Sequence, residues 1–110
     1  MPQNKLNFEE ISFKIIAYSG EAKSLALEAI NYAKEKDFDT AMTKLAEADT
    51  RIAEAGEAHM DVISEEADGV KICAPVLFIH AEDQLLNTQT IMILAKEFIE
   101  MYKLFFTNKK

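Results

Sequence analysis

Residues 76–86 read Val76-Leu77-Phe78-Ile79-His80-Ala81-Glu82-Asp83-Gln84-Leu85-Leu86. The helical period that starts here decides the fold. Pro75 suits the first turn of a helix, and the pattern runs to about Phe106, ~30 residues and so ~45 Å at 1.5 Å per residue. Three apolar stripes lie side by side. One is Leu77, His80, Gln84, Asn87, Ile91, Leu94, Phe98, Met101 and Phe105. The next is Phe78, Ala81, Leu85, Thr88, Met92, Ala95, Ile99, Tyr102 and Phe106. A third begins Val76, Ile79, Asp83, Leu86, Thr90, Ile93. The consistently polar line is narrow: Glu82, Gln89, Lys96 and Lys103. A helix apolar nearly all round is normally central. Two further helices of one chain cannot cover so broad a surface. The third helix is therefore expected to pack on its own bundle and on other copies of itself, with closed symmetry as the default.

Working back along the chain, Asp37 caps a second helix after the polar break Lys34-Glu35-Lys36, and Phe38 covers the junction. Its first stripe is Ala41, Leu45, Ala48, Ile52, Ala55, His59 and Val62. Met42, Ala46, Ala53, Gly56, Met60, Ile63 and Ala67 form a second stripe. Many of these residues are small, which lets helix axes approach closely. Asp68-Gly69 is a stop signal, with Gly69 in the left-handed position after the helix. The first helix starts at Asn7, where Asn7-Phe8-Glu9-Glu10 is a capping pattern. Its stripe is Phe8, Ile11, Ile15, Tyr18, Ala22, Leu25, Ala29 and Tyr32, interrupted by Gly20, which implies a kink or a close helix contact. The architecture expected is all-α: three helices in one domain covering residues 1–110.

Composition narrows the function. The 110 residues are 49% hydrophobic and 28% charged, with few Gly and Pro, which favours long helices. A net charge of −7 without a basic cluster argues against nucleic acid and against anionic membrane surfaces. Lys109 and Lys110 are too few to change that. The single cysteine, Cys73, forms no internal disulfide and no metal-ligand pattern. It is expected to pack as a small hydrophobe in a protein of the reducing cytoplasm. No signal peptide and no membrane span are apparent.

Four residues carry candidate chemistry. His80 reads either as a satisfied core or interface histidine or as a nucleophile. A neutral imidazole attacks readily near pH 7, and alone it suits group transfer through a covalent intermediate. Asp83 is the only acid in the stripe Val76, Ile79, Asp83, Leu86, Thr90, Ile93. It reads either as a hydrogen-bonded buried carboxylate or as a ligand on a symmetry axis, where several copies would repel without a cation. His59, among Glu57, Asp61 and Glu66, is not at metal spacing from Asp61 and reads as a partly exposed histidine. Gln84 can donate and accept a hydrogen bond.

Longer stretches resemble one family. Ile16-Ala-Tyr-Ser-Gly20-Glu-Ala-Lys-Ser24, Asp37-Phe38 followed by alanines, Ile52-Ala-Glu-Ala55 and Phe98-Ile-Glu-Met-Tyr-Lys103 are similar to segments of the IIA component of the lactose/cellobiose class of the sugar phosphotransferase system. Above all, His80-Ala81-Glu82-Asp83-Gln84-Leu85-Leu86 resembles the family's His-Ala-Gln-Asp-His-Leu-Met. The resemblance runs from about Phe13 to Tyr102. It implies an antiparallel three-helix bundle assembled as a homotrimer of nine helices. It implies a cytoplasmic phosphoryl carrier in which His80 is loaded from the phosphohistidine of HPr. His80 then passes the group to a cysteine of the IIB component, and through it to the membrane IIC component. The sugar expected is a β-linked disaccharide of the lactose, cellobiose or chitobiose class. Asp83 would meet its symmetry mates around a divalent cation, Mg2+ by preference, on the trimer axis.

The chain departs from the pattern at several positions. The motif's second histidine is Gln84 here. The second-helix Glu-Ala-His…Gln-Thr becomes Glu54-Ala55-Gly56…His59-Met60. Gln84 and His59 then take the task of orienting the phosphoryl group. The competing reading is a non-catalytic helical module that oligomerises through its third helix, for which His80 would matter only modestly to stability. A metalloenzyme ranks third, because the ligand set is too thin for an open catalytic site.

Overall fold

The computed structural model describes residues 6–107. They form three helices: α1 (Phe8–Lys34), α2 (Phe38–Ala67) and α3 (Val76–Thr107). The caps are where the sequence puts them. Asn7 accepts a hydrogen bond from the Glu10 amide at 3.0 Å and Asp37 accepts one from the Thr40 amide at 3.1 Å, each satisfying an amide that the helix leaves free. Gly69 follows α2 at φ 94°, the left-handed value that glycine adopts without a Cβ penalty. Lys36 also turns at φ 67°, between α1 and α2, and nothing in its residue type announces that. Ahead of α3, the Pro75 carbonyl accepts from the Phe78 and Ile79 amides.

Short connections make the helices run up, down and up. Phe8 meets Phe78 edge-on at 5.3 Å, start against start, so α1 and α3 are parallel. Phe38 meets Phe106 at 6.2 Å, start against end, so α2 and α3 are antiparallel. The bundle measures 69 × 20 × 19 Å. α1 packs closely on both partners, while α2 and α3 meet along a sparser seam.

The core divides into two clusters. One, toward the end that holds Phe106, is Ala22, Ala26, Ala29, Ala33, Ala41, Leu45, Ala48, Met92, Ala95 and Ile99. The other, toward the start of α3, is Ile15, Ala55, Ala58, Val62, Phe78, Ala81 and Leu85. On α1 the fully buried positions are Ser12, Ile15, Ser19, Ala22, Ala26, Ala29 and Ala33. The aromatic and branched members of the expected stripe (Phe8, Ile11, Tyr18, Leu25, Tyr32) flank that line half-buried. The reason is steric: α1 approaches two helices at once, so its closest line takes serine and alanine, and larger side chains seal the edges.

Other expectations are corrected. Gly20 lies on the surface, and a Cβ there would meet nothing within 4 Å, so no close contact requires it. The second α2 stripe is not in the core of this chain, where Ala58 is buried instead. Cys73 is exposed rather than packed. Lys109 and Lys110 lie outside the described residues. Among the described residues no helix is long and apolar enough to cross a membrane.

Candidate functional site

The three stripes of α3 separate cleanly. Phe78, Ala81, Leu85, Thr88, Met92, Ala95 and Ile99 form the inner face, each at most 4% exposed. On the opposite side, Val76, Ile79, Leu86, Ile93, Leu94, Phe98 and Met101 are 45–80% exposed. His80 and Asp83 sit on this outer apolar face, and both are exposed. They are three residues apart, and Gln84 is four from His80, so the three side chains are neighbours on one patch. His80 is the fifth residue of α3, beyond the first turn, so the helix dipole contributes little there. The imidazole is therefore set in an apolar surroundings with a carboxylate and an amide beside it, accessible from solvent.

His59 is held elsewhere. Its Nε2 lies 2.7 Å from Glu82 Oε2, and its ring stacks on Phe78 with centroids 6.0 Å apart. The His59 side chain is only 16% exposed, and that of Glu82 38%. Two residues apart on a helix means about 200° around its axis, so Glu82 and His80 face nearly opposite ways. Within one chain the structure brings His80, Asp83 and Gln84 together and places His59 across α3 from them.

The sequence did not single out Glu82. The signal available was the polar line Glu82, Gln89, Lys96 and Lys103, which proves to be the side of α3 that faces α2. Glu82 meets His59, Lys96 Nζ lies 3.1 Å from Asp49 Oδ1, and Lys103 Nζ lies 5.9 Å from the centre of the Phe38 ring. Gln89 lines a surface groove with Asp49, Ile52, Met92, Ile93 and Lys96. Glu82 and His59 each depart from the motif quoted above, and the two departures meet.

No group of three or more His, Cys, Asp or Glu side chains converges to hold a metal ion among the described residues. The next acid along that face, Glu97, is fourteen residues further along α3, about 21 Å, so one copy of the chain supplies one carboxylate at the level of Asp83. A metal there requires further copies.

Comparison with known proteins agrees with this arrangement along nearly the whole chain. Residues 10–103 match the family described as the lactose/cellobiose-specific IIA subunit of the phosphotransferase system. The lactose-specific EIIA component of Staphylococcus epidermidis is 38% identical over 100 residues, spanning 91% of this chain and 96% of that protein. The lichenan-specific phosphotransferase enzyme IIA component of Bacillus subtilis is 38% identical over 95 residues, 86% of each chain. The crystal structure of the cellobiose-specific enzyme IIA of Bacillus anthracis superposes with a TM-score of 0.89 at 37% identity, covering 96% of this chain and 97% of that one. A bundle of the same three helices, matched from end to end in sequence and in shape, identifies this chain as a member of the lactose/cellobiose IIA family, the phosphoryl-transfer components of a sugar phosphotransferase system.

Proposed function

We propose that this chain accepts a phosphoryl group on His80 from the phosphohistidine of HPr and passes it to a cysteine of the IIB component, for uptake of a β-linked disaccharide through the membrane IIC component. The observation that carries the reading is the position of His80, exposed on an apolar helix face beside Asp83 and Gln84. Phosphoryl transfer needs in-line access and charge stabilisation more than covalent machinery. The bond from phosphorus to the donor nitrogen breaks as the bond to the His80 ring forms, so the acceptor must be open on its outer side. An apolar surround suits protein partners that dock briefly and leave. The phosphoryl group brings about two negative charges. Gln84, one turn from His80, would donate a hydrogen bond to it, whereas His59, bonded to Glu82 on the far side of α3, is not within reach of the group. The carrier would work in the cytoplasm, where its partners meet it.

The bare outer face of α3 supports assembly with further copies, and the family resemblance supplies the number three. Copies meeting along this face would gather their Asp83 carboxylates in an otherwise apolar setting. Such carboxylates repel unless neutralised, and an all-oxygen donor set fits a hard divalent cation such as Mg2+. The ion would supply charge neutralisation at the axis. The test of the carrier reading is incubation of the purified protein with enzyme I, HPr and phosphoenolpyruvate beside a His80→Ala variant. Acid-labile, alkali-stable label on the wild type alone is expected. A folded oligomer that takes no label from competent donors would favour the non-catalytic interaction module, which the same apolar face would also serve.

A further inference from the structure

The seam between α2 and α3 is crossed by few links, and they are unequal. The Lys96–Asp49 pair is about half exposed on both sides, at 50% and 52%, and such pairs hold little. The Lys103 ammonium sits over Phe38 at the far end. His59–Glu82 is the shorter and drier contact, at 2.7 Å with the imidazole 16% exposed. The same ring lies flat against Phe78. Phe78 and Glu82 are four residues apart, one turn of α3. One α2 side chain thus grips two consecutive turns of α3, and His80 falls between the two points of grip.

At this end of α3 the packing from α2 is the smooth apolar contact of Ala55, Ala58 and Val62 with the cluster of Phe78, Ala81 and Leu85, and His59–Glu82 is the directional, hydrogen-bonded link that α2 adds to it. The connection before α3, residues 69–75, carries no helix, and α3 itself begins without an acid in its first turn. A small roll of α3 would move His80 and Asp83 sideways on the outer face, since they project about 200° and about 100° around the axis from Glu82.

We infer that the His59–Glu82 pair is a positioning clamp: it fixes the roll of the His80-bearing turns of α3 from the far side of the helix, without touching the phosphoryl group. The inference rests on the carrier reading for its consequence, and on the contact geometry for its existence. Glu82 is half-exposed and alanine is a good helix former, so Glu82→Ala keeps the fold. In the enzyme I, HPr and phosphoenolpyruvate assay the variant is expected to lose roughly ten- to a hundredfold in the rate of transfer to His80, as small misplacements do. Its KM for phosphorylated HPr is expected to stay within about twofold. Replacing both partners together, His59→Gln with Glu82→Gln, restores a neutral hydrogen-bonded link and is expected to recover most of the rate. Amide hydrogen exchange supplies a readout independent of transfer: exchange of residues 79–83 rises in Glu82→Ala, while that of residues 92–99 stays as in the wild type. A variant with wild-type rate and wild-type exchange would overturn the clamp. So would a slow variant whose exchange at residues 79–83 is unchanged, because Glu82 would then act by another route. Raised exchange in the variant beside a wild type that takes no label would leave the clamp standing and overturn the carrier reading instead.

Discussion

The two broad faces of α3 are built from the same residue types and meet opposite surroundings. Phe78, Leu85, Met92 and Ile99 are enclosed by α1 and α2, whereas Ile79, Leu86, Ile93 and Leu94 lie open on the surface of one chain. The ionisable residues are distributed unequally between them. The inner face carries none and admits only Thr88 as a polar residue; the outer face carries His80 and Asp83. Apolar character alone therefore does not tell core from working surface. A charged residue placed in an apolar stripe does, because burial without a partner would be costly. The inner face holds the chain together, and the outer face is the one proposed to meet other molecules.

The largest effect that separates the faces is chemical. His80→Ala should abolish phosphoryl acceptance while the helical circular dichroism and thermal midpoint stay close to the wild type, since the side chain is exposed. Next comes assembly. If copies assemble through the outer face as proposed, the wild type sediments as an oligomer and Ile93→Glu or Leu86→Glu, which puts a charge on that face, yields folded monomers, read by sedimentation velocity; a monomeric wild type or an unchanged mass in the variants would mean that the face is not an interface between copies. On the inner face, Leu85→Ala removes a side chain that is 1% exposed. It should cost about 2–5 kcal/mol in urea unfolding. The same truncation at Leu94, outside, should cost a single chain much less, and equal costs would break the distinction. Smallest is Lys96→Ala at the seam, where an exposed pair is worth under about 1 kcal/mol.

Much of this division is legible in the sequence, and the exceptions are instructive. The three helices, the caps at Asn7 and Asp37 and the stop at Gly69 follow from side-chain chemistry that acts within a few residues. The middle stripe of α3 is the buried one, but periodicity ranks three apolar stripes equally, so which one is inner is settled by the other two helices. On α1 the period gives the correct side of the helix and misjudges its centre line. Close approach selects Ser12, Ser19, Ala26 and Ala33, which a search for large apolar residues passes over. His80, Asp83 and Gln84 fall together because they are local on one helix. Glu82 is invisible to that reasoning, because its meaning lies in His59, twenty-three positions away in the chain. A contact across two helices leaves no mark on the period of either, apart from the polar line that α3 turns toward α2.

The chain has only two histidines, His59 and His80, one gripped in the seam and one free on the outer face, and this allows a direct test. A long-range proton–nitrogen correlation spectrum of the imidazoles, recorded before and after phosphoryl transfer from phosphoenolpyruvate through enzyme I and HPr, reports on both rings at once. The expected result is that the His80 ring alone gains coupling to phosphorus, while the His59 ring keeps the signature of its hydrogen bond to Glu82. Phosphorus on His59, or on neither ring with active donors, would contradict it.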